Sequence, residues 1–325
     1  MTQSVLVTGA FGNIGSRTVH HLLAAGHRVV AVGRKTARNE AAAARFGGAV
    51  EVIWGNICDP ELWPRALEGI DVVVHIAGII PPFSDRDPQL TLAVNQTATI
   101  ELIKHMEASP TAKRLIFASS MILAGPEQQH RQPPLTANIE PRPTDIYGKT
   151  KAECEIHIRA SSLYWSILRI AVCLPTNLSR REMNSFEAMF HASADGRVEA
   201  VHPDDCGLAM ANAVNCDETI GRILFIGGGR NCQTLALPFY NGILTSVGLR
   251  PLEARALRPG PPYFFGDWLD SAESQKLLAF QHRSLEDIFK ELRANLGYRR
   301  WLLKLVSPLI SLKLRRRSPY LSEAK

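Results

Sequence analysis

Ser4-Val-Leu-Val-Thr8-Gly9-Ala-Phe-Gly12-Asn-Ile-Gly15 is the stretch on which the fold turns. Its first five residues form a nearly continuous apolar run, as a strand buried on both faces requires. Three glycines follow at intervals of three, and residues 16–25 then read as a helix closed by Gly26. His27-Arg-Val-Val-Ala-Val32 is a second strand, so the chain opens on a βαβ unit. Each glycine has its own task there. Gly9 allows the tight turn, Gly12 lets the backbone approach a pyrophosphate, and Gly15 lets the helix pack on the strand. The N–H groups at the helix start then face phosphates, which makes a dinucleotide the expected ligand.

An acid at the end of the second strand would accept from a ribose 2′-hydroxyl and repel a 2′-phosphate. That position is Gly33, and Arg34-Lys35 follow it. Two cations without an acid favour the phosphate, so the sequence predicts NADP(H) over NAD(H). Further strands are predicted at 49–54, 71–78, 114–120 and 165–172, with helices at 60–67, at 90–106 and after Pro143. Asn56-Ile57, just past the third strand, is placed to meet an adenine edge. This alternation gives a doubly wound parallel sheet, whose ligands bind at the carboxyl ends of the strands. Gly78, Ser119 and Ser120 lie at such ends.

The later chain is less regular. A helical insert is expected at 180–194, a strand at 197–201, and a helix to Val214 capped by Asp204 or Asp205. A strand follows at 223–226. Asp270-x-x-Glu273 and Ser284-x-x-Asp287 read as capping boxes, and Gly297 as a helix end. Arg169, Arg181 and Arg197 are candidates for an anionic substrate group, with an ion pair as the equal alternative for each.

Tyr147 and Lys151 stand four apart on the helix after Pro143, where Thr144 or Asp145 is the expected cap. That spacing stacks two side chains one turn apart. An ammonium beside a phenol lowers its pKa, so Tyr147 is the expected acid/base for interconverting an alcohol and a carbonyl.

The composition is that of an ordinary globular chain: 325 residues, 46% hydrophobic and 21% charged. The six cysteines are scattered without a C-x-x-C pair, and no histidine spacing suggests a metal site. A cytoplasmic protein with reduced thiols and no signal peptide is expected. The net charge of +6 resides in the tail, where residues 298–325 carry eight cations against Glu323 alone. The remaining body is nearly neutral and gives no reason to expect nucleic acid. Within the tail, the apolar and basic run at 299–317 fits a segment lying on an anionic membrane surface. The alternative is that its leucines pack on the body or on a second subunit.

Gly9-x-x-Gly12-x-x-Gly15, His75-Ile-Ala-Gly78, Asn95, Ser119-Ser120 and Tyr147-x-x-x-Lys151 together resemble the extended short-chain dehydrogenase/reductases, in their epimerase/dehydratase-like branch. Leu168-Arg169, His202-Pro-Asp-Asp205 and the stretch from Gly221 to Gly228 extend the resemblance over roughly residues 4–290. It implies a Rossmann-type domain at 1–173, rejoined by 198–216. A smaller, partly interleaved C-terminal substrate part follows at 174–197 and 217–297, then the basic tail. It also implies that Tyr147 is the general acid/base and that Lys151 tunes it and binds the nicotinamide ribose. Ser120 would hold the substrate oxygen, with Asn95 as the fourth member. Cofactor contacts are expected from Gly9, Phe11, Gly12, Asn13, Ile14 and Gly15, from Arg34, Lys35, Asn56 and Ile57, from Ala77 and Gly78, and from Tyr147 and Lys151. A small-molecule substrate and a homodimer are the expected partners.

Two departures bear on substrate. Nucleotide-sugar members of the resembled branch carry an Asn after the sixth strand, where this chain has Val172. The acidic pair of sugar-nucleotide dehydratases is replaced by Met121-Ile122. The leading expectation is thus an NADP(H)-dependent alcohol/carbonyl oxidoreductase. The alternatives are an epimerase of a sugar or nucleotide sugar, and a non-catalytic NADP-binding module.

Overall fold

β1 (Ser4–Thr8) lies inside a parallel sheet of seven strands in the order β3-β2-β1-β4-β5-β6-β8. The other members are β2 (Arg28–Gly33), β3 (Val50–Trp54), β4 (Val72–His75), β5 (Arg114–Ser120), β6 (Tyr164–Ile170) and β8 (Arg222–Ile226). The computed structural model describes residues 2–126, 131–177, 186–260 and 266–322.

The apolar runs explain the layering. Side chains alternate across a strand, so Val5, Val7, Val29, Ala31, Val72 and Val74 enter one core while Leu6, Val30, Val32 and Val73 enter another. The first core is covered by α1 (Asn13–Ala24) and α7 (Pro203–Asn212), through Val19, Leu22, Cys206 and Met210. The second is covered by α3 (Leu62–Ala66), α5 (Ala98–Ala108) and α6 (Ile146–Ala160), through Trp63, Leu102, Met106, Cys154 and Ile158. A short α2 (Ala37–Ala44) links β2 to β3. The strand order runs outward in both directions from β1 and β4, so the crevice beyond their carboxyl ends is the switch point at which such sheets bind ligands.

A third core lies C-terminal. Phe239, Ile243 and Leu244 of α8 (Ala236–Ser246) meet Ile288, Phe289 and Leu292 of α10 (Leu285–Leu296). The antiparallel pair β7 (Arg197–Glu199) and β9 (Gln233–Leu235) joins this unit, and α9 (Ala272–Leu278) packs beside β8. β8 comes from the stretch read as substrate-binding, yet it forms the edge of the large sheet. The basic tail forms α11 (Arg299–Arg316) and α12 (Pro319–Ser322).

Several local expectations are corrected. α7 is capped by His202, whose ring accepts from the Asp204 N–H at 3.1 Å, rather than by either aspartate. Asp205 is instead buried and takes the Arg283 guanidinium at 2.6 Å. Asp270 and Glu273 form no capping box, because Glu273 pairs with Arg222 and the N-cap is Ser271. The box at Ser284 and Asp287 is present. The insert expected at 180–194 lies partly outside the described residues, which show a 3₁₀ turn at Phe186–His191.

Candidate active site

The glycine turn is the first wall. Gly9 has φ +70, and a Cβ there would lie 2.8 Å from the Ala77 nitrogen. A Cβ on Gly15 would lie 2.1 Å from the Gly9 carbonyl oxygen, so only glycine lets α1 sit this close to the turn. Gly12 is the N-cap of α1, with extended backbone and no side-chain cap. Since Ser16 N–H bonds the Gly12 carbonyl, the N–H groups of Asn13, Ile14 and Gly15 stand at the open helix end. This cradle fits a dinucleotide pyrophosphate. Asn13 also donates to the Cys173 sulfur at 3.9 Å.

Phe11 explains the missing acid at the end of β2. Its ring stacks on Trp54 with centroids 5.5 Å apart, and a Cβ on Gly33 would strike it at 2.7 Å. Lys35 lies 3.9 Å from Glu40 on α2, and the Arg34 carbonyl accepts from Asn39 at 2.8 Å. Asn56 accepts from Cys58 N–H at 3.2 Å just beyond β3, and Ile57 packs on the second core.

The second wall is a buried polar chain. Thr8 Oγ1 accepts from Ile76 and Ala77 N–H, each at 3.2 Å, and bonds His75 Nδ1 at 2.7 Å. Thr99 Oγ1 donates to the Asn95 carbonyl at 2.7 Å, so it accepts from His75 Nε2–H at 2.9 Å. Burial, aided by the Lys151 charge, pushes His75 down to about 3, so the ring is neutral. Asn95 sits in a π-helical segment (Leu92–Thr97) between α4 (Pro88–Thr91) and α5. Its amide clasps Ile79, accepting from the N–H at 2.7 Å and donating to the carbonyl at 2.9 Å, and it also reaches Thr150 at 3.4 Å. That fixes the turn at Gly78, where a Cβ would stand 3.3 Å from Asn95 Oδ1 and 3.8 Å from Lys151 Nζ.

α6 supplies the third wall. Asp145 caps it, accepting from Gly148 N–H at 2.8 Å. Tyr147 and Lys151 share one face, and Ser120 at the end of β5 neighbours the Tyr147 hydroxyl and draws its pKa down. Lys151 Nζ donates to the Ala118 carbonyl at 2.7 Å and lies 4.4 Å over the Phe117 ring, against 5.9 Å from the Tyr147 ring centre. Burial pulls Lys151 down to about 8, with Cys154 and Glu155 opposing. The expected lowering of the Tyr147 pKa is overturned. Burial raises it, the nearby Ser120 hydroxyl only partly offsets this, and the Asp145 charge adds to the rise. The structure thus gathers Tyr147, Lys151, Ser120, Asn95, Ala77 and Gly78 at the switch-point crevice beside the glycine turn.

Comparison with known proteins fits this geometry. The sequence profile of the NAD dependent epimerase/dehydratase family matches residues 5–200. The chain belongs to this family. Among relatives, UDP-glucose 4-epimerase 4 of Oryza sativa subsp. japonica is 33% identical over 180 residues, or 51% of this chain and 48% of that protein. The 3 beta-hydroxysteroid dehydrogenase/Delta 5-->4-isomerase of Mycobacterium tuberculosis is 27% identical over 202 residues, or 61% of this chain and 53% of that one. The chain spans about half the length of these curated relatives. Among solved structures, UDP-glucuronic acid 4-epimerase from Bacillus cereus superposes with a TM-score of 0.72 at 19% identity, covering 90% of this chain and 98% of that one.

That structure holds NAD, as do several others of the same epimerase/dehydratase fold. The expectation of NADP(H) from Arg34-Lys35 is therefore corrected in favour of NAD(H). The physical reason lies at the strand end. Gly33 is a glycine because Phe11 occupies its side-chain space, so the missing acid says nothing about a 2′-phosphate. Lys35 also already faces a carboxylate.

Of the three arginines weighed for an anionic substrate, two are engaged internally. Arg197 pairs with the buried Asp267, at 2.9 Å from Nη2. Arg169 and Glu155 form a bidentate pair at 3.0 and 2.6 Å, with side chains only 2% and 3% exposed. Ser119 donates to the same carboxylate at 2.6 Å, and Arg169 donates to the Ala137 carbonyl at 3.0 Å. This knot ties α6, the end of β5, β6 and the loop at 131–142 together. Arg181 lies outside the described residues. The sequence reading missed Glu155, Thr8 and Thr99. Glu155 stands one turn beyond Lys151, and that i, i+4 position was its only sequence signal. Among the described residues, no group of three or more His, Cys, Asp or Glu side chains could hold a metal, and no helix is long and apolar enough to cross a membrane.

Proposed function

We propose that this enzyme uses NAD(H) to epimerise a carbinol carbon of a sugar, with a nucleotide sugar as the substrate class. The observation that carries this reading is the buried Tyr147–Lys151 pair on one face of α6, beside Ser120 at the end of β5, in the crevice that the glycine turn also borders. The names of relatives, UDP-glucose 4-epimerase among them, support the sugar class. Bound NAD would take up a hydride from the carbinol carbon and return it to the opposite face. Tyr147 exchanges the hydroxyl proton. Ser120 donates to the reacting oxygen as negative charge develops on it. Lys151 holds positive charge under the site and, through Ala118, fixes its own position. Asn95 and Thr8 hold the Ile76–Ile79 turn in place against the cofactor.

Turnover of UDP-glucose and related UDP-sugars with NAD, followed by separation of the epimers, tests the reading. Epimer should form with no net change in NADH absorbance, and Tyr147→Phe should lower the rate about 10²-fold or more with NAD binding retained. Undiminished turnover by Tyr147→Phe would refute it. One observation favours a second reading, net oxidation or reduction of a less polar alcohol. Val172 places an apolar side chain where the resemblance implies an amide, and its backbone is locked to Glu199 and Val201 at 3.1 and 3.0 Å. Steady NADH formation or consumption in the same assay would select that reading.

A further inference from the structure

We propose that α11 is a docking face for an anionic lipid surface. A surface helix of a globular protein buries its apolar stripe and turns its polar face to water. α11 does the reverse. Its inward face holds Ser307 and Ser311, 4% and 6% exposed, and the Ser311 hydroxyl accepts from Arg250 N–H at 3.3 Å. Arg300 donates from Nε to the Ser246 carbonyl at 3.0 Å, and its own carbonyl comes so near Gly248 that a Cβ there would lie 2.9 Å away. Ile310 and Leu314 add apolar contact to the third core, and Arg315 pairs with Glu253. The helix is thus anchored through its polar side.

The outward face is apolar. Tyr298, Trp301, Leu302, Leu305, Val306, Leu309 and Leu312 are 45–76% exposed, and they make up seven of the thirteen large hydrophobic side chains exposed among the described residues. Counted from Tyr298, their spacing at i+3, i+4, i+7, i+8, i+11 and i+14 puts them on one stripe. A continuous exposed patch of this kind marks an interaction site. Its rim identifies the partner. Arg299, Lys304, Lys313 and Arg316 are exposed around the stripe, and Lys304 lies 5.6 Å over the Trp301 ring. α11 contains no acidic residue. A two-fold contact with a second copy would set this rim against itself, cation against cation. A bilayer surface bearing anionic headgroups matches both features, with leucines entering the acyl boundary and the cations meeting phosphates.

The test is co-sedimentation of the full chain with phosphatidylcholine vesicles, with and without phosphatidylglycerol. Binding should be at least about ten-fold stronger to the anionic vesicles and should weaken with added salt. Leu305→Glu/Leu309→Glu should abolish it, and Lys313→Glu/Arg316→Glu should remove the preference for anionic lipid. All four side chains point outward, so NAD binding and melting temperature should match wild type and separate a lost surface from a lost fold. Equal, negligible sedimentation with both vesicles would overturn the proposal. So would a wild-type dimer that Leu305→Glu/Leu309→Glu dissociates without any vesicle binding. The readout does not depend on the substrate.

Discussion

Removing the Glu155 carboxylate isolates a charge that the fold cannot hydrate. Arg169 is 2% exposed, and Glu155 supplies both of its ionic contacts, at 3.0 and 2.6 Å. In Glu155→Met the guanidinium keeps only its carbonyl partners at Ala137 and Ile139, and Ser119 loses its acceptor. Breaking one side of such a buried pair costs about 3–5 kcal/mol. With an unfolding entropy of about 2.1 cal/mol/K per residue, a 325-residue chain converts this to a melting point roughly 4–7 °C lower. The double variant Glu155→Met/Arg169→Met removes both charges and should recover most of the loss, to within about 1–2 kcal/mol of wild type. Thermal unfolding by circular dichroism, with all variants in one buffer, measures this. A Glu155→Met protein melting within about 1 °C of wild type would refute the reasoning, as would a double variant less stable than the sum of the singles.

Gly15→Ala places a methyl 2.1 Å from the Gly9 oxygen, with only backbone around it, and should destabilise by about 3 kcal/mol in urea unfolding. Gly12→Ala puts its Cβ 3.2 Å from the Gly9 oxygen, a tight contact on otherwise open extended backbone, so it should lower the melting point far less than Gly15→Ala while weakening NAD binding by calorimetry. Lys151 is held at about 8 when folded, below its ordinary 10.5, so the unfolded chain binds more protons between those values and stability rises with pH through that window. Lys151→Met should therefore melt higher than wild type at pH 7, by about 3 kcal/mol at most, and the difference should shrink toward pH 10. Thr99→Val leaves the His75 Nε2–H buried without its acceptor and should cost about 1–3 kcal/mol, read from the same melts.

The sequence is most legible where one local rule acts alone. The central strands β1 and β4 are buried on both faces, so each reads as an apolar run, and the glycine turn is legible because a Cβ at Gly15 has nowhere to go. Rules that compete across distance are not legible. The cap of α7 passes to His202 because Asp204 and Asp205 are drawn to Arg283. The π-helical segment that carries Asn95 has no local signature, since it lets the amide meet Ile79 across the crevice. In the tail, Pro308 should break a helix. It lies at an exposed position, so water can take the Lys304 carbonyl it leaves unbonded while the inner face stays anchored.

The Tyr147–Lys151 pair shows why spacing alone misjudged the chemistry. Four residues on a helix bring both side chains to one face, and from that the ammonium was expected to favour the phenolate. The spacing leaves open where the ammonium ends. It reaches the Ala118 carbonyl near the carboxyl end of β5 and rests on Phe117, nearer to that ring than to the phenol. Burial then dominates both groups in opposite directions, raising the phenol and lowering the ammonium, because each loses water before it gains the other. Tyr147 therefore holds its proton more tightly than a free phenol, with Ser120 drawing its pKa part of the way back. On the proposed reading, positive charge must be added near the phenol before it can take a proton from a carbinol.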